Sequence, residues 1–238
     1  MQFNKLSNEQ KMFFEQNGYL IEKSVWSRTE IDALKQASRS FENYTNGVYH
    51  SLMNPHLTNS TFRNALGHPR VVQRLAEFFD GPVSAVQSQM FFGPPGCSGY
   101  SRHQDNFFVQ TDPKFFISVW SSLDSADSAN GGLIMYAGSH REPILDVREV
   151  DPSQRGKGQD PNSDRVESVF SENRTYPAID LATEPGDIVY IHANVVHASY
   201  NNRTMDRFRN SLLCTYIRSG TALRKGLYAK REEIILKK

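Results

Sequence analysis

The spacing of hydrophobic residues changes near residue 81. Before that point, apolar residues recur at intervals of three and four, which is typical of amphipathic helices. Ser7 with Gln10, and Ser27 with Glu30, have the spacing of capping boxes in front of two of these stretches. The sequence predicts helices over residues 8–16, 28–42 and 61–79. Pro69 is expected to divide the last of them.

After residue 81, short runs rich in β-branched and aromatic residues alternate with turn residues. These runs predict strands over residues 85–92, 107–110, 115–123, 132–136, 188–192 and 211–217. Their spacing is typical of an antiparallel barrel or sandwich and not of βαβ units. Residues 151–177 are polar and almost free of aliphatic side chains, so we expect either disorder or a lid over a site.

Composition narrows the class of protein. The 238 residues suit one domain, with helical support over 1–80, a β core over 81–218 and a C-terminal tail of no evident chemistry over 219–238. The net charge of +1 gives no reason to expect a nucleic acid or an anionic membrane as partner. Two cysteines, no apolar leader and no run of 18 apolar residues predict a soluble cytoplasmic protein with reduced thiols.

The most informative histidine is His103, because Asp105 follows two positions later. In an extended segment these two side chains point to the same face, as two neighbouring ligands of a 2-His-1-carboxylate iron site would. The motif is short, and a hydrogen-bonded histidine–aspartate pair without metal is the alternative interpretation.

A third ligand is sought beyond the turn at 184–187, which predicts a buried strand leading to His192 and His197. On one regular strand these two histidines would face opposite sides, so only one could join His103 and Asp105. His197 is favoured because the small residues Ala198 and Ser199 follow it, and His192 is interpreted as a half-buried strand histidine.

Arg209 lies at the start of an apolar strand, twelve residues after His197. A guanidinium there can bind a carboxylate through two hydrogen bonds, although an isolated arginine at a strand end is also compatible with a surface position.

Taken together, His103-x-Asp105, the 130–140 loop with its Gly-Gly pair, the Pro-Gly-Asp turn, His197 and Arg209 resemble the phytanoyl-CoA dioxygenase family. The resemblance runs from about residue 87 to 216. It implies a double-stranded β-helix (jelly-roll or cupin-like) core, mainly β with N-terminal helices. It also implies an iron(II)- and 2-oxoglutarate-dependent oxygenase that consumes O₂.

Carried over by position, the resemblance implies that His103, Asp105 and His197 are the catalytic iron ligands. Arg209 and Ser199 would bind the distal carboxylate of 2-oxoglutarate. Trp120 and Gln89 would lie near this co-substrate, and His140 would be structural. Arg207 stays open as an alternative anchor, because one residue is inserted between His197 and Arg209 relative to some members. Gly93 stands where long-chain acyl-CoA members tend to have lysine, which argues against an acyl-CoA substrate.

The expected reaction is hydroxylation of an unactivated C–H bond in a small organic metabolite, with 2-oxoglutarate converted to succinate and CO₂. Desaturation, epimerisation and ring formation stay open, and the oligomeric state is not indicated. The alternatives are a metal-dependent, cupin-like isomerase or lyase without 2-oxoglutarate, and a non-catalytic metal-binding protein. Within residues 151–177, Arg155, Lys157 and Arg165 are predicted to reach substrate if the segment is a lid.

Overall fold

The computed structural model describes residues 4–47, 49–151, 166–171, 173–227 and 229–236. Its N-terminal helices follow the sequence prediction closely. Their bounds are α1 Asn8–Asn17, α2 Arg28–Arg39, α3 Glu42–Thr45, α4 Ser60–Leu66 and α5 Pro69–Phe79. Both predicted capping boxes are formed, at Ser7 and at Ser27. The helix predicted over 28–42 is shorter, because Ser40 ends α2 and a separate turn forms α3.

Strands make up most of the remaining regular structure, and their pairings are antiparallel. They are β1 Tyr19–Glu22, β2 Leu52–Met53, β3 Val83–Phe91, β4 Phe116–Ser122, β5 Leu133–Tyr136, β6 Val147–Glu149, β7 Val166–Ser168, β8 Ala178–Asp180, β9 Ile188–His192, β10 His197–Ser199, β11 Ser211–Arg218 and β12 Ile234–Ile235. The major sheet has the order β1-β9-β4-β11-β3-β12, with β2 also on β3. The minor sheet has the order β10-β5-β8, and β6 pairs with β7.

The major sheet buries different residues on its two faces, as the alternation of a pleated strand requires. In β11, Leu212 and Cys214 join the core cluster that includes residues of the N-terminal helices, and the next residues, Leu213 and Thr215, line a cavity. Strand β4 alternates in the same way, because Val119 belongs to the helix-side cluster and Trp120 lines the cavity. The helices therefore cover one face of the sheet and leave the other for a site.

One predicted strand is wrong. Residues 107–110 do not form a strand, because α6, Asp105–Val109, is helical through most of this run. The period of apolar residues cannot separate helix from strand over a run of only four residues. The local bonds decide: the Asn106 side chain bonds both the N–H and the C=O of Thr111, and Gln110 ends the helix in a left-handed conformation.

The two flanks of the core also differ from expectation. The segment 1–80 is not only helical support, because β1 and β2 join the major sheet. The tail after residue 218, for which no chemistry was expected, joins the fold: β12 pairs with β3, and several tail residues line the cavity. Both cysteines are buried free thiols, as predicted. Across the described residues, no helix combines the length and apolar character needed to span a membrane.

Candidate active site

Three side chains from two distant parts of the chain meet at the wall of one cavity. His103 Nε2 lies 3.6 Å from Asp105 Oδ1, and His197 Nε2 lies 3.8 Å from the same oxygen. One ligand atom from each residue falls within 4.8 Å of the others. Two imidazoles and one carboxylate form the donor set of a facial iron(II) site, whose other positions are open to substrate and oxygen.

The two histidines are brought together by a direct backbone pairing. His103 and His197 form an isolated antiparallel bridge, in which each N–H donates to the other residue's carbonyl at 2.9 and 3.0 Å. Residues paired in this way project their side chains to the same face. Their ring centroids are accordingly 4.3 Å apart.

Each imidazole is oriented by a bond to backbone. His103 Nδ1 lies 2.7 Å from the carbonyl of Ser101, and His197 Nδ1 lies 3.2 Å from that of Val195. A carbonyl can only accept, so we assign the proton to Nδ1 in both rings and leave the Nε2 lone pairs for a metal. Asp105 Oδ2 is buried without a hydrogen-bond partner, which also suits a cation ligand.

The protonation states of His197 and Asp105 fit this assignment, whereas at His103 burial lowers the pKa but the hydrogen bond and charge of Asp105 raise it overall. Burial lowers the pKa of His197 to about 4, and the neighbouring His103 acts in the same direction. Burial raises the pKa of Asp105, but His197, His103 and Ser118 together have the larger effect, so that its pKa lies well below the usual range. A neutral imidazole and a carboxylate are the forms that bind a metal.

The local conformation around the first pair was predicted incorrectly. Asp105 lies in the first turn of α6, not two positions along an extended strand from His103. Gln104 fixes the arrangement from the other side: its amide donates to the carbonyls of Pro143 and Asn194 and accepts from the N–H of Leu145. The pair converges because of these bonds and not because of strand alternation.

The separation of His192 from His197 also has a different cause from the one supposed. They do not share a strand: β9 ends at His192, and β10 begins at His197 in the other sheet. His192 is half-buried at the end of β9, as predicted, and its Nδ1 accepts from the N–H of Asn194. His140 lies against His192 with ring centroids 5.0 Å apart, outside the histidine–aspartate cluster.

Arg209 is a buried cation that lines the same cavity as the cluster. Its Nη1 donates to Ser211 Oγ at 3.1 Å, and its Nε has no partner. Among the described residues it forms no ion pair with a carboxylate. Burial lowers its pKa, as expected for a cation without a close counter-ion. An anion from outside the chain would complete its hydrogen bonding.

Arg207, the alternative anchor, has a partner already. Its guanidinium makes two bonds to the Asp127 carboxylate, at 2.9 and 3.0 Å, and its side chain is 40% exposed. It is not among the residues that line the cavity.

Gly93 allows the backbone of Arg209 to approach closely. A Cβ at this position would lie 2.6 Å from the Arg209 carbonyl oxygen, so a side chain here would displace Arg209.

The other predicted co-substrate contacts all line the cavity, which has a volume of about 490 Å³. Trp120 is buried on β4, and Gln89 occupies the same cross-strand row, since both pair with Leu213. Gln89 donates to Ser51 Oγ at 3.1 Å. Ser199 accepts from the N–H of Tyr100 at 2.8 Å, so its hydroxyl proton is free for another acceptor.

Sequence reasoning missed several polar residues of the cavity wall. Gln87 and Thr215 are register partners on β3 and β11, and each has a buried oxygen without a bonding partner. Arg224 and Arg231 come from the C-terminal tail. The strand period could have found Gln87 and Thr215, because each lies two positions from another cavity residue on its strand, Gln89 and Leu213. No signal in the sequence brings the tail to the cavity.

Comparisons with known proteins agree with this geometry. The family model for phytanoyl-CoA dioxygenase (PhyH) matches residues 14–211. Peroxisomal phytanoyl-CoA dioxygenase of Rattus norvegicus is 24% identical over 241 residues, covering 90% of this chain and 69% of that protein.

Two solved structures show the same fold. The 2-oxoglutarate (alpha ketoglutarate) dependent carbocyclase SnoK superposes with a TM-score of 0.75 at 18% identity, covering 94% of this chain and 88% of the other. The epimerase SnoN, in complex with Fe³⁺, 2-oxoglutarate and nogalamycin RO, gives 0.74 at 17% identity, covering 91% and 85%.

These similarities confirm three sequence expectations: the double-stranded β-helix fold, the class of iron- and 2-oxoglutarate-dependent dioxygenase, and the two cofactors that this class uses. The family model alone spans most of the sequence, from α1 to the start of β11. The chain belongs to the phytanoyl-CoA dioxygenase family.

Proposed function

We propose that the cavity is the active site, with His103, Asp105 and His197 holding iron(II) and Arg209 binding the distal carboxylate of 2-oxoglutarate. The observation that carries this assignment is the buried Arg209 guanidinium with an unpaired Nε, on the same cavity as three convergent metal-ligating atoms. An isomerase or lyase that never used 2-oxoglutarate would have no need for such a cation.

The remaining contacts divide between polar and apolar roles. Ser199 is placed to donate its hydroxyl to the same carboxylate, and Gln89 to bond the co-substrate or substrate. Trp120, Leu133 and Leu213 provide apolar wall. Such a wall excludes water from the reacting groups and strengthens the electrostatic contacts inside.

Iron(II) with 2-oxoglutarate and O₂ supplies an oxidant for unactivated C–H bonds, and 2-oxoglutarate leaves as succinate and CO₂. The chain's own residues set what that oxidant can reach: they position the co-substrate at Arg209 and hold the substrate in the rest of the cavity. We propose hydroxylation of a small organic metabolite as the outcome. The wall includes aromatic surface from Phe91, Tyr100 and Phe108.

The test is an aerobic incubation of the protein with iron(II) and 2-oxoglutarate, with succinate measured by mass spectrometry and a metabolite mixture added or withheld. We expect succinate release that needs both additions, rises with a substrate in the mixture, and stops on chelation of the metal. An isomerisation or elimination that runs without 2-oxoglutarate would overturn the assignment.

Three sequence predictions stay predictions. The geometry of the site does not test the predicted cytoplasmic location or the predicted lack of nucleic-acid and membrane partners. The lid over 151–177 falls largely on residues outside those described, including Arg155, Lys157 and Arg165. Its described C-terminal flank does lie beside the site, because Val166 lines the cavity and Ser168 N–H donates to the carbonyl of Arg102 at 2.7 Å.

A further inference from the structure

A second buried guanidinium lines the cavity, and it comes from the C-terminal tail. The Arg231 residue is 8% exposed. Its hydrogen bonds come from Nη1, which donates to the carbonyls of Phe108 at 3.2 Å and Lys225 at 3.5 Å. Its Nε is buried without a partner, and no described carboxylate forms an ion pair with it. The unbonded edge of this fork is the edge that grips an oxyanion in two-point contacts.

The tail holds Arg231 in place through contacts on both sides of it. Asn54 Nδ2 donates to the carbonyl of Ala229 at 2.6 Å, and β12 begins three residues after Arg231 and pairs with β3. At Gly226, a Cβ would lie 2.8 Å from Arg231 Nη1. The guanidinium is therefore packed into the wall and is not a mobile surface group.

Arg209 and Arg231 reach the same cavity from different segments of the chain. Arg209 precedes β11, whose first residue pairs with Phe91, whereas β12 pairs with Ala85. Arg231 also bonds the carbonyl of Phe108 in α6, the helix whose first residue is the metal-ligand candidate Asp105. With the distal carboxylate of 2-oxoglutarate assigned to Arg209, Arg231 is left without an anionic partner.

The cavity that Arg231 lines also has other donors and further positive charge. Thr215 and Gln87 line the same cavity, and their hydroxyl and amide groups can donate to an anion. Arg224 lies at the exposed side, where it bonds the carbonyls of Phe107 and Phe108. Two guanidiniums on one segment favour a negatively charged group between the tail and the metal site.

We propose that Arg231 recognises an anionic group of the primary substrate, so that the substrate class is an organic oxyacid, a carboxylate or a phosphonate or phosphate ester. This inference rests on the proposed function, because it takes Arg209 to be occupied by 2-oxoglutarate. The acid group at Arg231 would hold the substrate by one end and leave its carbon chain facing the metal site. Neutral molecules of the same shape would leave Arg231 unpaired and bind poorly.

The experiment uses the full chain loaded anaerobically with iron(II) and saturating 2-oxoglutarate. Calorimetry measures the Kd of matched probes: a series of straight-chain carboxylates, their amides, and the corresponding alkylphosphonates. We expect the acids to bind about tenfold or more tightly than the amides. The variant Arg231→Gln should reduce that preference to about twofold or less, while the 2-oxoglutarate Kd stays within about twofold of wild type. Whether carboxylates or phosphonates bind best distinguishes the two sources of the oxyanion.

The matched control is Lys230→Gln, which removes the same charge from the neighbouring, exposed position and should preserve the preference. Arg231→Lys keeps the charge without the fork and should give an intermediate preference. If Arg231→Gln does not fold, the proposal is tested by the ratio of acid to amide Kd values in the wild type and in Arg231→Lys.

Two results would overturn the proposal. One is the finding that none of the acids binds more tightly than its amide, and the other is a preference for acids that survives Arg231→Gln. Failure of the proposed function is detected by a separate measurement: the wild-type protein would then bind no 2-oxoglutarate in the presence of iron(II). The acid-to-amide ratio is measured on that protein as well, so the failure of the proposed function is distinguished from the failure of this inference.

Discussion

The two faces of the major sheet are built from alternate residues of the same strands, and they differ in the polar groups that they bury. On the helix side, Tyr216 donates to the carbonyl of Leu66 at 3.1 Å, Trp26 donates to Ser121 at 3.0 Å, and His56 bonds Ser88 at 2.7 Å.

On the cavity side, oxygens of Gln87 and Thr215 are buried without partners, and so are nitrogens of Arg209 and Arg231. Unpaired buried polar groups cost free energy unless something bonds them. On the helix side His68 Nδ1 is also buried without a partner, so the difference lies in charge: the unpaired guanidinium nitrogens of Arg209 and Arg231 line the cavity. This contrast leads to five predictions, given in order of decreasing expected effect.

The largest effect should come from the metal-ligand candidates on the cavity side. His103→Ala, Asp105→Ala and His197→Ala should each reduce bound iron from about one per chain to near zero, and turnover should fall by more than about 100-fold. Metal analysis and succinate release measure both. His192→Ala is the control and should keep its iron. Iron that survives in His197→Ala and is lost in His192→Ala would show that the wrong histidine was chosen.

Next in size is the loss of the buried cation. Arg209→Ala should weaken 2-oxoglutarate binding by about 2–4 kcal/mol, since a charge-assisted two-point contact is removed, and should leave iron affinity nearly unchanged. Calorimetry with 2-oxoglutarate and a separate iron titration distinguish these effects. Arg207→Ala, which breaks only the pair with Asp127, should change the 2-oxoglutarate Kd little. The reverse ranking would make Arg207 the anchor.

Two adjacent leucines on β11 allow the two faces of the major sheet to be compared directly. Leu212 is fully buried against the helix-side cluster, and Leu213 lines the cavity. Leu212→Ala should lower the free energy of unfolding by about 2–5 kcal/mol and leave ligand affinity nearly unchanged. Leu213→Ala should cost less stability and alter KM instead. Denaturant unfolding and steady-state kinetics test the pair. Equal stability losses with equal KM changes would contradict the division of roles.

A smaller effect is expected from acid on the helix side. Burial lowers the pKa of His56 to about 4, with Arg63 acting in the same direction, whereas in the unfolded chain it is near 6.5. The unfolded state then binds more protons between these values, so stability should fall as pH drops from about 6.5 to 4, by on the order of 2 kcal/mol from this group. Denaturant unfolding across this range measures it. His56→Gln should flatten the dependence, and an unchanged slope would exclude His56 as a source.

The smallest effect is expected at Thr215. Thr215→Val removes a buried hydroxyl oxygen that has no partner, with little change in volume. The ligand-free protein should gain about 1 kcal/mol of unfolding free energy. Thermal and denaturant unfolding of the ligand-free protein measure it. A clear loss of stability instead would mean that the hydroxyl is already bonded in the ligand-free state.

Much of the fold followed from local signals. The capping residues placed α1 and α2, because a hydrogen-bonded helix start is decided within four residues. Long strands such as β4, β9 and β11 were found within one or two residues, because their apolar runs are bounded by turns. Short strands such as β10 were missed, since three residues carry too little pattern and their formation depends on a distant partner.

By itself, the sequence determined the residue types of the site and the class of fold, because ligand identity and the alternation of apolar residues are properties of the chain. The tertiary structure alone decided how those residues meet. The His103–His197 bridge joins positions 94 residues apart, and α6 turns Asp105 toward it. It also decided that Arg209 is buried and unpaired while Arg207 is bonded to Asp127, and that the tail brings Arg231 to the cavity. Burial and pairing depend on contacts between distant segments, and no local pattern encodes those contacts.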